Sequence, residues 1–115
     1  MTAGTYLITA EQGATFTRVL TWRDSANVPV NLTGYTARMQ VRTDYFATTT
    51  ALTLTTENSR IVLGGSLGTI TLSVPATDMA AVSAGDYVYD LEMVNGATVT
   101  RLVQGTFTVN AEVTR

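Results

Sequence analysis

Two carboxylates, Asp90 and Glu92, come nearest in this chain to a pair that could do acid/base chemistry. On one face of a strand their side chains stand roughly 7 Å apart, a separation that glycosidases use. Their setting argues for another role. They lie in Asp86–Phe107 (DYVYDLEMVNGATVTRLVQGTF), a stretch that alternates polar and apolar residues around Asn95-Gly96. A two-residue type I′ turn there predicts that Val94 faces Ala97, Glu92 faces Val99, Asp90 faces Arg101 and Val88 faces Val103, with Tyr89, Leu91 and Met93 on the other, largely apolar face. Asp90 then makes a cross-strand ion pair on a wet sheet face, worth under about 1 kcal/mol. No catalytic residue is assigned.

The rest of the inventory narrows the chemistry further. With neither His nor Cys, a Ser-His-Asp triad, a Cys-His pair and an ordinary zinc site are excluded. Asp24-Ser25-Ala26-Asn27 lacks the acid spacing of a calcium loop and reads as a turn. Gly64-Gly65-Ser66-Leu67-Gly68 lacks the Lys and the following helix of a phosphate loop, and reads as a hairpin turn. The expectation is a chain that is not an enzyme, with no cofactor, no metal and no small-molecule substrate. Seven Arg against nine acids leave a net charge of −2 and no basic cluster, which argues against nucleic acid. No apolar run reaches the roughly eighteen residues of a membrane span. Met1–Ala14 lacks the basic start and apolar core of a signal peptide, which implies synthesis in the cytoplasm.

These residues need a scaffold, and composition points to strands. About a fifth of the residues are threonine, which is β-branched and favours strands, and Lys is absent. A chain of 115 residues makes one domain, 1–115, able to bury a core without disulfides. Thr5–Thr9 reads as a first edge strand. Thr15–Arg23 puts Phe16, Leu20 and Trp22 on one face, with Arg18 interrupting it and Trp22 anchoring the core through an indole N–H satisfied by backbone. Asp24–Gly34 is turn-rich, and Tyr35–Thr43 points Tyr35, Ala37, Met39 and Val41 inward. Asp44–Thr50 is either a loop tucked under the sheets or an exposed aromatic contact through Tyr45 and Phe46. Leu52–Leu54, Arg60–Leu63 and Thr69–Val74 are short strands. Pro75 ends the last of these, and Ala76–Val82 forms one helical turn with Met79 and Val82 over the core. Gly105 predicts a bulge or bend before Phe107.

Seven or eight short strands at this spacing predict an all-β fold, a two-sheet antiparallel sandwich with one short helical turn. Ala84-Gly85-Asp86-Tyr87-Val88-Tyr89 resembles the tyrosine corner of immunoglobulin-like domains, with Tyr89 where antibody domains place their second cysteine.

The order of Gln12–Phe16, Trp22-Arg23-Asp24, Val30–Arg42, Gly85–Glu92 and Glu112–Arg115 resembles a group of short tailed-bacteriophage virion proteins. Over the first half it is also similar to the immunoglobulin-like N-terminal domain of phage baseplate upper proteins. The resemblance implies a structural module located in the virion, in its tail or baseplate region, used in several copies as a homo-oligomer and bound to other virion proteins. Candidate contacts are the terminal segments Thr2–Thr9 and Asn110–Arg115, with Tyr6, Val113 and Arg115, and the pair Tyr45 and Phe46. Two other readings are a capsid decoration protein and a carbohydrate-binding sandwich with Trp22, Tyr45 or Tyr87 as a stacking platform.

Overall fold

Period-two alternation becomes buried and exposed faces along most strands of the computed structural model, which describes residues 4–113. In chain order the strands are β1 (Gly4–Thr5), β2 (Ile8–Glu11), β3 (Phe16–Thr21), β4 (Thr36–Arg42), β5 (Leu52–Thr55), β6 (Ile61–Leu63), β7 (Thr69–Val74), β8 (Gly85–Asn95) and β9 (Thr98–Asn110). One sheet has the order β1-β9-β8-β4-β5, with β2 also on β9, and the other has the order β3-β7-β6. β4 buries Ala37, Met39 and Val41, β8 buries Tyr87, Tyr89, Leu91 and Met93, and β7 buries Ile70, Leu72 and Val74. The two inner faces meet in an aromatic cluster. Phe107 packs edge-on to Phe16 at 5.5 Å and to Tyr89 at 6.4 Å between ring centroids.

Local grammar sets the corners. Pro75 stands in extended backbone before the helical turn α1 (Ala76–Ala80), and Met79 N–H binds its carbonyl. Met79 and Val82 are buried, as a helical turn laid over the core implies. Arg60, just before β6, pairs with Asp78 of α1 and so ties the turn to the second sheet. The Tyr87 hydroxyl donates to Ser83 O at 2.6 Å, the bond that defines a tyrosine corner. The fold is an all-β sandwich of two packed sheets.

The structure corrects four expectations. There are nine strands among the described residues, because Thr5–Thr9 is broken into β1 and β2. Both run parallel to β9, with Gly4 beside Val103 and Ile8 beside Phe107, whereas all other ladders are antiparallel. The β8–β9 turn is Gly96-Ala97, with Asn95 opposite Thr98 and Glu92 opposite Arg101. Among its turn residues only Gly96 has a positive φ, 61°, which is the type II′ pattern and spares Asn95 the strained conformation that type I′ demands. A slip of two residues keeps the same faces, so the inward residues of β8 are those expected.

The irregularity in β9 falls earlier than Gly105. Glu92 pairs with Arg101 but Leu91 pairs with Val103, so Leu102 is the extra residue of a bulge. Gly105 answers to a different constraint. Tyr6, in the break between β1 and β2, crosses directly over it, and a Cβ at Gly105 would lie 2.6 Å from Tyr6 O. Tyr6 N–H binds Gln104 O at 3.0 Å, and the buried Tyr89 hydroxyl donates to Tyr6 O. Burial pushes the Tyr89 phenol up, the Tyr6 hydroxyl adds to this, and Arg18 opposes it. Gly105→Ala is expected to cost about 1–3 kcal/mol, the usual range for overpacking, read by urea denaturation. A loss under about 0.5 kcal/mol would mean that Tyr6 moves aside freely.

Candidate functional site

The outer face of the larger sheet carries most of the charge in the strands. Arg38 of β4, Glu92 of β8 and Arg101 of β9 stand in one row across the sheet. Arg38 Nε reaches Glu92 Oε1 at 2.8 Å, and Arg101 Nη2 reaches Glu92 Oε2 at 3.7 Å. Arg101 also turns diagonally to Asp90, with Nε 3.3 Å from Oδ2. The expected Asp90–Arg101 pair therefore exists, but Asp90 lies opposite Gln104 and Gln40 rather than opposite Arg101. Both carboxylates are held by arginines, and each such partly exposed pair adds under about 1 kcal/mol. Among the described residues no group of three or more metal-ligating side chains converges.

Arg42, at the end of β4, fixes the neighbouring loop. Its Nη1 donates to Ala47 O at 2.9 Å and its Nη2 to Gln40 Oε1 at 2.8 Å. Asp44 Oδ1 accepts the Phe46 N–H at 2.9 Å, a side-chain turn of the kind Asp favours. The loop so held presents Tyr45 at 67% and Phe46 at 94% exposure. Between loop and sheet lies a shallow depression lined by Gln40, Arg42, Asp44, Tyr45, Val88 and Asp90. Of the alternatives left open for Asp44–Thr50, the loop is not tucked under the sheets: the aromatic pair is exposed.

The sheet edges differ in how they are closed. Thr53 and Thr55 of β5 point their backbone groups away from β4, and the Asn58 side chain meets both. Its Nδ2 donates to Thr53 O and its Oδ1 accepts Thr55 N–H, each at 3.0 Å. The carboxamide thus copies a strand neighbour and blocks that edge. On β2, Arg18 Nη2 donates to Thr9 O at 3.1 Å. β6 offers three residues only. β3, six residues long, pairs with β7 on one side.

The sequence-derived contact residues are therefore scattered. Tyr6 is half-buried, its hydroxyl taking a 3.1 Å bond from Arg18 Nη1 and its backbone committed at Gly105. Tyr45 and Phe46 share the loop beside the charged face, while Val113 is 92% exposed beyond β9. Arg115, Thr2, Ala3 and Thr114 lie outside the described residues. Tyr87 is buried and Trp22 is half-buried edge-on to Tyr35 at 5.8 Å, so neither is a stacking platform. No hydrogen bond from the Trp22 indole is found among the described residues; its anchoring is by packing.

Arg42 and Asn58 were not singled out in the sequence. Arg42 stands just before the exposed aromatics, and Asn58 sits in a Glu-Asn-Ser turn where Asn side chains imitate backbone. Comparison with known proteins finds no family model that matches the chain and no similar curated sequence. The basis for function is thus the surface itself: a charge-paired sheet face next to a pinned loop that displays two aromatics.

Burial pushes the Asp90 carboxyl above its ordinary value, Glu92 adds to this, and Arg101, Arg38 and Arg42 pull the other way. The folded state then binds this proton more tightly than the unfolded chain does. Asp90 contributes stability that is full below the unfolded value and fades as pH rises through the raised one. Asp90→Asn cannot ionise, so its stability relative to wild type is expected to rise between about pH 3 and pH 7. The change is below about 1 kcal/mol because the group is partly exposed and screened. Urea denaturation at several pH values checks this, and a flat difference would remove the assignment to Asp90.

Proposed function

We propose that this chain is a non-enzymatic structural protein of a tailed-bacteriophage virion, an adaptor of the tail or baseplate region that acts through contacts with other virion proteins. The order of turn and strand motifs described above supports the phage reading. One structural observation carries the adaptor reading, namely Phe46. It is almost fully exposed, beside Tyr45, on a loop held by Arg42 and Asp44. Leaving an aromatic ring in water gives up its apolar burial, about 1.5–3 kcal/mol. A loop already fixed in place loses little entropy when a partner covers it. Aromatic residues of this kind anchor protein interfaces.

Mass spectrometry and immunogold labelling of purified particles of the encoding phage test this. The protein is expected in the particle, and Phe46→Asp is expected to lower its copies per particle by about tenfold or more. Its melting temperature should stay within about 2 °C of wild type. Absence from the particle would refute the virion reading. Full incorporation of the variant would refute the role of Phe46. Labelling on the shell rather than the tail would assign it to capsid decoration.

A second reading, sugar binding, has one observation in its favour. Tyr45 is the one aromatic of the three considered that remains exposed, and it borders a depression whose Gln40, Arg42 and Asp90 side chains suit hydroxyl groups. Glycan-array binding that is saturable and lost in Tyr45→Ala would favour it over the adaptor reading.

A further inference from the structure

The free edge of β3 is the longest bare strand edge among the described residues, and hydrogen-bond parity shows which groups it presents. Ser73 N–H binds Arg60 O and Gly64 N–H binds Thr69 O. The odd-numbered residues of β7 therefore serve β6, and its even-numbered residues serve β3. Trp22 N–H bonded to Gly68 O, one step past the ladder, gives the same result from the other side. Phe16, Arg18 and Leu20 hence bond to β7, while Thr17, Val19 and Thr21 turn N–H and C=O outward. No backbone or side-chain partner meets those outward groups among the described residues.

Among the described residues the β5, β2 and β6 edges are each interrupted or short, and the β3 edge is neither. Asn58 occupies the β5 edge, Arg18 caps Thr9 on β2, and β6 is short. On β3 the outward residues are Thr, Val and Thr, with no charge or proline to repel a strand. Arg18 points the other way, its guanidinium bonded to Thr9 O and the Tyr6 hydroxyl. The adjoining outer face is also uncharged. Val19, 56% exposed, stands opposite Thr71, which stands opposite Val62, 57% exposed. Thr17 and Thr21 flank Val19, and Thr69 and Ser73 flank Thr71.

We infer that β3 is a self-association edge that pairs antiparallel with β3 of a second copy about a two-fold axis at Val19. In that register Val19 faces Val19 of the second copy, and Thr17 faces its Thr21. Each of the three outward residues exchanges N–H and C=O with its opposite. The cross-strand pairs are β-branched and free of like charges. The second copy is favoured over another protein because the pattern Thr-Val-Thr is its own complement under this axis, as an isologous contact requires. The result is a continuous sheet β6-β7-β3-β3-β7-β6 with an outer face of Thr, Ser and Val. One strand pair buries well under the roughly 800 Å² per partner of a stable complex, so the pairing is weak and depends on concentration. It does not rest on the phage reading, which concerns contacts with other proteins.

The test is sedimentation and light scattering of the full chain over a concentration series, with backbone amide exchange by NMR. The mass is expected to rise from 12.3 kDa toward twice that value. The amides of Thr17, Val19 and Thr21 should gain protection as it does. Val19→Lys sets two ammonium groups against each other at the axis and is expected to weaken pairing by about tenfold or more, with an unchanged melting temperature. The double variant Thr17→Lys, Thr21→Glu should still pair, because each Lys then faces a Glu. A monomer up to the solubility limit overturns the inference. So does a dimer that Val19→Lys leaves intact, or protection that appears at another edge. The wild-type amide data decide the matter even where a variant fails to fold.

Discussion

The crossing of Tyr6 over Gly105 is the contact on which the rest of this sandwich depends. At that point the chain leaves β1 and enters β2, both laid parallel along β9, and only a residue without a side chain lets the two backbones approach so closely. The Tyr89 hydroxyl, buried between the sheets, finds its acceptor there and is thereby satisfied. Arg18 reaches the same place from β3, through the Tyr6 hydroxyl and Thr9 O, and lies 5.7 Å from the centroid of the Phe16 ring. One short segment thus fixes the first strand, solvates the core phenol from within and ties the two sheets together. It also commits the N-terminal strands to β9, which is why β3 has no neighbour on its outer side.

Much of this was legible in the order of residues, and the limits have physical causes. Alternation placed Ala37, Met39, Val41, Tyr89, Leu91 and Met93 correctly, because a buried face tolerates no one-residue slip. The corner at Tyr87 was legible because the glycine and the aromatic stand at fixed spacing. The turn at Gly96-Ala97 was not, since Asn-Gly and Gly-X both make good hairpins and parity is the same for either. The parallel start was hidden as well. Nothing in Thr5–Thr9 tells which sheet a short edge segment joins, because that choice rests on a glycine about a hundred positions away.

The candidate surface was legible in part for the same reason. Exposed aromatics such as Tyr45 and Phe46 show in a sequence as apolar residues out of phase with any strand. What holds them does not show, because Arg42 acts through a backbone carbonyl, and carbonyls leave no trace in composition. Glu92 illustrates the opposite limit. Its two arginines come from strands on either side of it, so the row Arg38, Glu92, Arg101 exists only once both ladders are in register. Charges that looked like a chemical pair become a clasp across three strands.

The side chain of Asn58 has a consequence for how many copies can join. A sheet with bare edges at both ends has a valence of two and adds copies without limit, which is the route to fibres. Here one carboxamide fills the β5 edge with a donor and an acceptor in the places a strand would use. With β6 too short to hold a strand and Arg18 bonded to Thr9 O on β2, β3 is the longest strand edge left open among the described residues. Growth by strand addition is thereby closed off at the β5 end of the larger sheet, because one amide imitates a peptide bond.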